Sequence, residues 1–279
     1  MLFAVSLYAK PVYVVTAHPL YAILSEITAG AADIKVILPA GGSPHTFSPK
    51  PSTAHLASDA LALFYVSPEL DGWATTFGTK TKIKMMDFLP NQMRLNYAEE
   101  HKGHEHEGHS SNGTDPHFWT DPLAVKAIVP GLCETLCKLD PPNAKNYRSN
   151  AGKFEKRLDD LNKMISEKLK PFAGKYLFSF HPSFCYLIQR YGLVYGGSIE
   201  PSPGKEPSVR FISELTKKLK KTKTKAIFTE PQLPDKPAKA IAEAIGIKLW
   251  MLDPIGGVKG RFSYFEIINY NTDIIIKAL

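Results

Sequence analysis

Residues 143–169 read NAKNYRSNAGKFEKRLDDLNKMISEKL. Phe154, Leu158, Leu161, Met164, Ile165 and Leu169 recur there at three- and four-residue steps among Lys, Arg, Asp and Glu. That spacing gives one amphipathic helix of about seven turns. Pro141-Pro142 opens it and Pro171 closes it. On either side the pattern is different. Before the helix, β-branched runs at Val12–Thr16, Ile34–Leu38, Ala62–Val66 and Ile83–Met85 are separated by helix-period stretches and Gly/Pro turns. After it, Tyr176–Phe180, Leu193–Ser198, Ala226–Thr229 and Lys248–Leu252 read as strands with helices between them. Strands alternating with helices indicate βαβ units and parallel sheets. The expected fold class is therefore α/β: two (βα)4-type lobes, residues 10–139 and 173–279, joined by a long rigid linking helix within 140–172.

A chain of 279 residues with 44% hydrophobic and 22% charged side chains is long enough for about two domains with real cores. No apolar run reaches the ~18–20 residues needed to span a bilayer. Met1 to Ala9 has the character of the end of a secretory apolar region before a small residue, so residues 1–9 read as a possible signal-peptide remnant, with a first buried strand as the alternative. No cysteine near the N-terminus is placed to take a lipid. An exported protein of this kind is expected free in a periplasm, as a monomer.

The net charge of +7 raises the question of nucleic acid. Much of the excess lies in Lys217, Lys218, Lys220, Lys221, Lys223 and Lys225, interleaved with the helical pair Leu215 and Leu219. This is the pattern of a solvated helix face running into a loop. Basic residues interleaved with exposed aromatics in a recognised module are missing, so no nucleic-acid partner is expected. The three cysteines exclude a fully paired disulfide framework. Cys133 and Cys137 share a helix face as small buried hydrophobes, and Cys185 stands alone.

One segment breaks the α/β alternation. Residues 99–113 contain His101, His104, His106 and His109 with Glu105 and Glu107, several Gly and Ser, and nothing apolar. No core can form on such a composition, and histidine-rich tracts bind metal, so accessory low-affinity metal capture is expected there.

Outside that loop five histidines remain. His45 lies just past the strand ending at Leu38, and His117 lies before Thr120-Asp121-Pro122, which reads as a helix cap and first helical residue. His181 follows Phe178-Ser-Phe, and Asp253 follows Trp250-Met-Leu in the same way. The C-terminal ends of parallel strands are where open α/β sheets place ligands. Two of these four residues precede the long helix and two follow it, so a site between the lobes is the natural inference. Three imidazoles and a carboxylate form a donor set for a divalent transition ion. His18, before Pro19 at a helix start, and His55, on a polar helix face, read as structural or solvated.

The motifs around these residues occur in a definite order: Gly-Gly-Ser-Pro-His45-Thr-Phe-Ser-Pro-Lys-Pro, Asp-Pro-His117-Phe-Trp-Thr-Asp-Pro, Phe-His181-Pro-Ser-Phe with Arg190-Tyr-Gly-Leu, Phe228-Thr-Glu-Pro-Gln, and Leu252-Asp-Pro-Ile-Gly. Together they resemble the zinc and manganese solute-binding proteins of bacterial ABC transporters, the TroA-like metal receptors of cluster A-I. The resemblance runs from about Tyr13 to Leu279. It implies that His45, His117 and His181 bind the metal with Asp253 as the fourth ligand, a carboxylate that zinc receptors of this family can replace by water or another group. It also implies that Glu230 orients a ligand, and it leaves Cys185 as a reserve donor.

A histidine rather than a carboxylate at the third position, and the His-rich insertion, place the chain nearer the zinc branch. The expected function is capture of Zn2+ as a transported ligand and its delivery to an ABC membrane permease, with Mn2+ as the alternative cargo. An enzymatic alternative is a zinc-dependent hydrolase using Asp253 or Glu230 as a base. It lacks a His-Glu-x-x-His pair, a closely spaced acid and base, and a nucleophile motif. An adhesin role on the same fold is a third reading.

Overall fold

The computed structural model describes residues 9–96, 113–201, 204–205 and 207–279. Residues 1–8 of the N-terminal segment, and the His-rich tract within 97–112, lie outside the described residues.

The first lobe is built on β1 (Val12–Val15), β2 (Asp33–Val36), β3 (Ala62–Tyr65) and β4 (Lys82–Lys84), ordered β2-β1-β3-β4 and parallel throughout. The second repeats the plan with β5 (Tyr176–Ser179), β6 (Val194–Ser198), β7 (Ala226–Thr229) and β8 (Lys248–Met251), ordered β6-β5-β7-β8 and again parallel. In each sheet the order reverses beside the first strand, which leaves a crevice at the C-terminal strand ends.

Nine α-helices connect these strands among the described residues. They are α1 (His18–Thr28), α2 (Pro51–Ser58), α3 (Pro68–Asp71), α4 (Pro122–Leu139), α5 (Ala144–Leu169), α6 (Cys185–Arg190), α7 (Val209–Lys221), α8 (Lys236–Ile245) and α9 (Tyr264–Ala278). The helix α5 is the one expected from spacing. Its 26 residues span about 39 Å at 1.5 Å each. Tyr147, Ala151, Phe154, Leu158, Leu161, Ile165 and Leu169 form its buried face. Short 3-10 turns at Pro141–Asn143 and Lys170–Phe172 extend it at both ends, where the prolines set φ without needing an amide donor.

This helix does more than connect. It packs along α4, α1 and α9, so one continuous core contains residues of both lobes, from Tyr13 and Val15 through Phe154 and Leu158 to Leu177, Phe228 and Tyr264. The lobes therefore share buried apolar surface, which opposes wide opening between them. Arg157 to Glu26 and Lys168 to Asp273 add ion pairs from α5 to α1 and α9.

The lysine run behaves as its spacing indicates: α7 buries Phe211, Leu215 and Leu219 and exposes Lys217, Lys220 and Lys221. Cys133, Cys137 and Cys185 are buried and form no disulfide among the described residues.

One buried acid was not visible in the sequence. Asp71 is fully buried and accepts from the Thr16 hydroxyl at 2.5 Å and from the amides of Val66 and Ser67. Burial pushes its carboxyl up to about 6, against these donors, which pull it down. A carboxyl raised on folding keeps a proton that the unfolded chain has lost, so its stabilising contribution is present below about pH 4 and disappears as pH rises toward 6. The difference is on the order of 3 kcal/mol. Denaturant unfolding at pH 4 and pH 7 is expected to show a stability loss larger by about this amount in the wild type than in Asp71→Asn, since Glu230 titrates alike in both.

Candidate metal site

His45 and His181 lie on segments that leave strand ends, and His117 on one that enters a helix. His45 sits in the loop after β2, which Trp73 holds by donating its indole N–H to Pro44 O at 3.0 Å while Phe47 packs on the same indole, ring centres 4.9 Å apart. His117 precedes a 3-10 turn at Phe118–Thr120. Asp121 then caps α4 by accepting from Leu123 N at 2.8 Å, with Pro122 as the first helical residue. His181 follows β5 after one residue, Phe180, whose amide still bonds to Phe228 O at 2.7 Å.

The three rings converge. Nε2 of His45 lies 3.2 Å from Nε2 of His117 and 3.1 Å from Nε2 of His181, and the latter two atoms are 3.4 Å apart. A tetrahedral zinc with Zn–N near 2.0–2.1 Å has donor-to-donor edges of about 3.3 Å. The triangle matches one face of that tetrahedron. Among the described residues these three form the one group of His, Cys, Asp and Glu with a shared ligating geometry. His117 and His181 are buried and His45 is partly exposed.

Electrostatics keep this arrangement suited to a cation. Burial, with the neighbouring His117 adding to it, holds the His45 imidazole far down, to about 3, so it is neutral at physiological pH. Nδ1 of His117 donates to Asp115 Oδ1 at 2.7 Å, and the His117 amide donates to the same oxygen at 2.9 Å. A carboxylate only accepts, so the proton is on Nδ1 and the Nε2 lone pair faces the other two rings. This carboxylate–histidine pairing orients metal ligands and raises their basicity. Asp115 was missed in the sequence, although its place two residues before His117 was a usable signal.

Asp253 does not join the group. Its Oδ1 accepts from Gln232 Nε2 at 2.7 Å and from the amides of Ile255 and Gly256, and its Oδ2 lies 2.8 Å from Nε of Arg261. Asn271 locks the backbone on both sides by accepting from the Asp253 amide and donating to its carbonyl. The tight turn beyond requires Gly256 and Gly257 with φ of 71° and 82°. A Cβ on Gly256 would come within 2.5 Å of Arg261 O. Glu230, by contrast, lines the small cavity beside the imidazoles together with Ser183, Gln232, Pro254 and Ile255. Ser183 donates its hydroxyl to Glu230 Oε1 at 2.6 Å. Burial pushes the Glu230 carboxyl up to about 8, the Ser183 hydrogen bond opposes this, and the charge of Asp253 adds to it.

The cavity is about 10 Å³. That is room for one ion or one water. It is far below the ~300 Å³ at which small-molecule pockets begin.

The segment bearing His117 is tied to the second lobe at four points. Tyr186 OH donates to Asp115 O at 3.1 Å, and Trp119 Nε1 donates to Pro254 O at 2.8 Å. Tyr264 OH donates to Trp119 O at 2.9 Å, and Arg190 pairs with Asp121 at 2.7 Å. The remaining histidines follow the sequence reading. His18 is buried, with Nε2 2.6 Å from Phe262 O and its ring stacked on Tyr21, and His55 is exposed on α2.

The family model described as zinc-uptake complex component A, periplasmic, matches residues 14–278. The high-affinity zinc uptake system protein ZnuA of Brucella abortus is 30% identical over 278 residues, covering 87% of this chain and 83% of its own. A putative metal-binding protein of Thermotoga maritima is 30% identical over 269 residues, with 95% and 92% covered. The crystal structure of a Zn(II)-bound AdcAII variant of Streptococcus pneumoniae is similar with a TM-score of 0.83 and 26% identity, over 97% of this chain and 99% of that one.

Proposed function

The chain belongs to the periplasmic zinc-uptake complex component A family, and from that membership we propose that it is the zinc receptor of an ABC-type uptake system, binding Zn2+ with high affinity and passing it to a membrane permease. The observation that carries the choice of cargo is the triangle of Nε2 atoms with edges of 3.1–3.4 Å. Three neutral nitrogens suit zinc, whereas manganese prefers a harder set with more oxygen donors. His45, His117 and His181 hold the ion in this reading. The fourth position goes to a donor that enters with or after it: a solvent molecule facing Glu230, or a carboxylate that first leaves its present partners.

A receptor and a zinc hydrolase can share three histidines, and what separates them is access. A hydrolase needs an organic substrate beside the metal-bound water. The cavity here admits nothing of that size, and the relatives carry names of uptake and metal-binding proteins. Among the described residues no helix is long and apolar enough to cross a membrane. Export, with residues 1–9 as a signal-peptide remnant, and action as a monomer belong to the same proposal. So does the division into lobes 10–139 and 173–279 around the linking helix.

Metal analysis of protein purified without added metal, followed by absorption spectroscopy at the zinc edge, tests the reading. One zinc per chain with three imidazole nitrogens in its first shell is expected. Manganese in its place, or no bound metal at micromolar supply, would overturn it. Asp253→Asn separates the two candidate fourth donors: zinc binding about 10–100-fold weaker is expected from loss of a supporting group, and a loss of roughly several hundredfold or more would make Asp253 the fourth ligand. Competition against a chromophoric chelator measures this.

The His-rich tract can be tested separately, because the chain is pinned on both sides of it. Asn96 and Thr114 form an antiparallel bridge, and the Asp115 amide donates to Leu95 O at 2.8 Å. Deleting Glu99 to Ser111, which removes His101, His104, His106 and His109, is expected to leave the tight site intact and abolish weaker zinc sites. Calorimetric stoichiometry would then fall to one.

A further inference from the structure

At the end of the second sheet opposite the histidines lies a cavity of about 460 Å³. Lys225, Lys248 and Lys277 line it, with Thr224, Trp250 and the chain around Gly246 and Leu279. Its origin is topological. Parallel pairing sets Ala226 beside Lys248, so the residues entering β7 and β8 meet at one edge, and the last turn of α9 brings Lys277 to the same place. The lysine run of α7 leads along the chain into this lining at Thr224 and Lys225, and Lys217, Lys220, Lys221 and Lys223 are exposed, as are the three cavity lysines. Among the described residues none of these seven forms an ion pair with an acid.

Unpaired like charges around a concavity raise the local potential and concentrate anions there. A volume of this size is ample for a discrete ligand. Lysines contributed to one lining by three segments suit an oxyanion with several acceptor oxygens, and Trp250 adds an aromatic residue to the same lining. We propose that this cavity is a second binding site, independent of the metal site, for a multiply charged phosphate-type group, either free in solution or carried by a lipid headgroup.

The test uses the full chain with two probes, inorganic pyrophosphate and vesicles containing phosphatidylglycerol in phosphatidylcholine. Binding is read by calorimetry or co-sedimentation and by indole fluorescence. Saturable binding of either probe is expected, weakened at least tenfold by the triple change Lys225→Gln, Lys248→Gln, Lys277→Gln and by raised salt. Pyrophosphate alone would identify a soluble ligand, and vesicles alone a membrane headgroup. A control removing as much charge from α5, Lys153→Gln, Lys156→Gln, Lys163→Gln, is expected to bind like wild type. Zinc affinity should be unchanged in both variants, which also reports their folding and keeps failure here separate from failure of the metal reading. If the triple variant is misfolded, backbone amide shifts of the wild type on adding pyrophosphate, expected to cluster at 224–225, 246–250 and 277–279, decide the matter. Binding of neither probe, equal binding by the triple variant, equal weakening in the α5 control, or shifts scattered over the surface would overturn the proposal.

Discussion

His117→Ala is expected to weaken zinc binding by a factor on the order of a hundred to several hundred while leaving the thermal midpoint of the metal-free protein within a few degrees of wild type. Zinc sites with four protein ligands are worth roughly 10–16 kcal/mol, so one donor accounts for about 2.5–4 kcal/mol, and each 1.4 kcal/mol is tenfold in affinity. The two remaining Nε2 atoms, of His45 and His181, are 3.1 Å apart and still span one edge of the polyhedron, so weak binding should persist. The fold should tolerate the loss because His117 hydrogen bonds chiefly to Asp115, two residues away. Chelator competition and calorimetry measure the affinity, and circular dichroism the fold. Unchanged affinity would remove His117 from the site. Asp115→Asn supplies the graded control: it keeps all three rings but loses the acceptor that orients His117, and a loss of 10–100-fold is expected.

Trp119→Ala is expected to lower the unfolding free energy by about 3–5 kcal/mol, the range for deleting a large buried aromatic. Trp119 is 1% exposed and touches both lobes. Its indole bonds to Pro254 O, and its own carbonyl accepts from Tyr264. Removal leaves a cavity at the lobe junction and an unpaired carbonyl at the edge of the metal cavity. Because the His117 ring lies 5.4 Å from the indole, zinc affinity should fall as well. Trp119→Phe refines the test: it fills most of the volume but cannot donate, so it should recover most stability and less of the affinity. Chemical denaturation with zinc titration separates the two effects. A stability within 1 kcal/mol of wild type for Trp119→Ala would mean that the junction is not held there.

The relation of Trp119 to Pro254 also bears on release. The His117 segment has a carbonyl, an indole and a capping carboxylate committed to the second lobe, whereas the loop of His45 is held mainly by Trp73. Loop shifts at His45 therefore meet less resistance than rotation of one lobe against the other, as expected for a molecule whose core is continuous along α5.

Local chemistry wrote the architecture into the sequence. The apolar spacing of Phe154, Leu158, Leu161 and Ile165 defines α5 because a helix repeats every 3.6 residues, whatever surrounds it. The β-branched runs and their turn residues likewise locate all eight strands to within about two residues. The three histidines stood out for a related reason: each follows a local strand or turn signal. Their strand-end and helix-start positions point to a site between the lobes, but the order of the strands and the convergence of His45, His117 and His181 across separations of 72 and 64 residues are not encoded by any local interaction.

The long-range partners of the carboxylates were decided by tertiary structure, whereas Asp115 and the Ile255 and Gly256 amides lie within three residues of the groups they bond. Asp253 sits in the expected strand-end turn, yet Arg261, Gln232 and two amides occupy its oxygens, and none of those pairings has a sequence period. Asp115 gained its role only when the chain folded His117 back over it, and Asp71 only when Thr16 and the start of α3 closed around it. A side chain's intrinsic conformational preference is legible from its neighbours in sequence. A charged group's partner is set by whichever opposite charge or dipole the fold brings within about 3 Å.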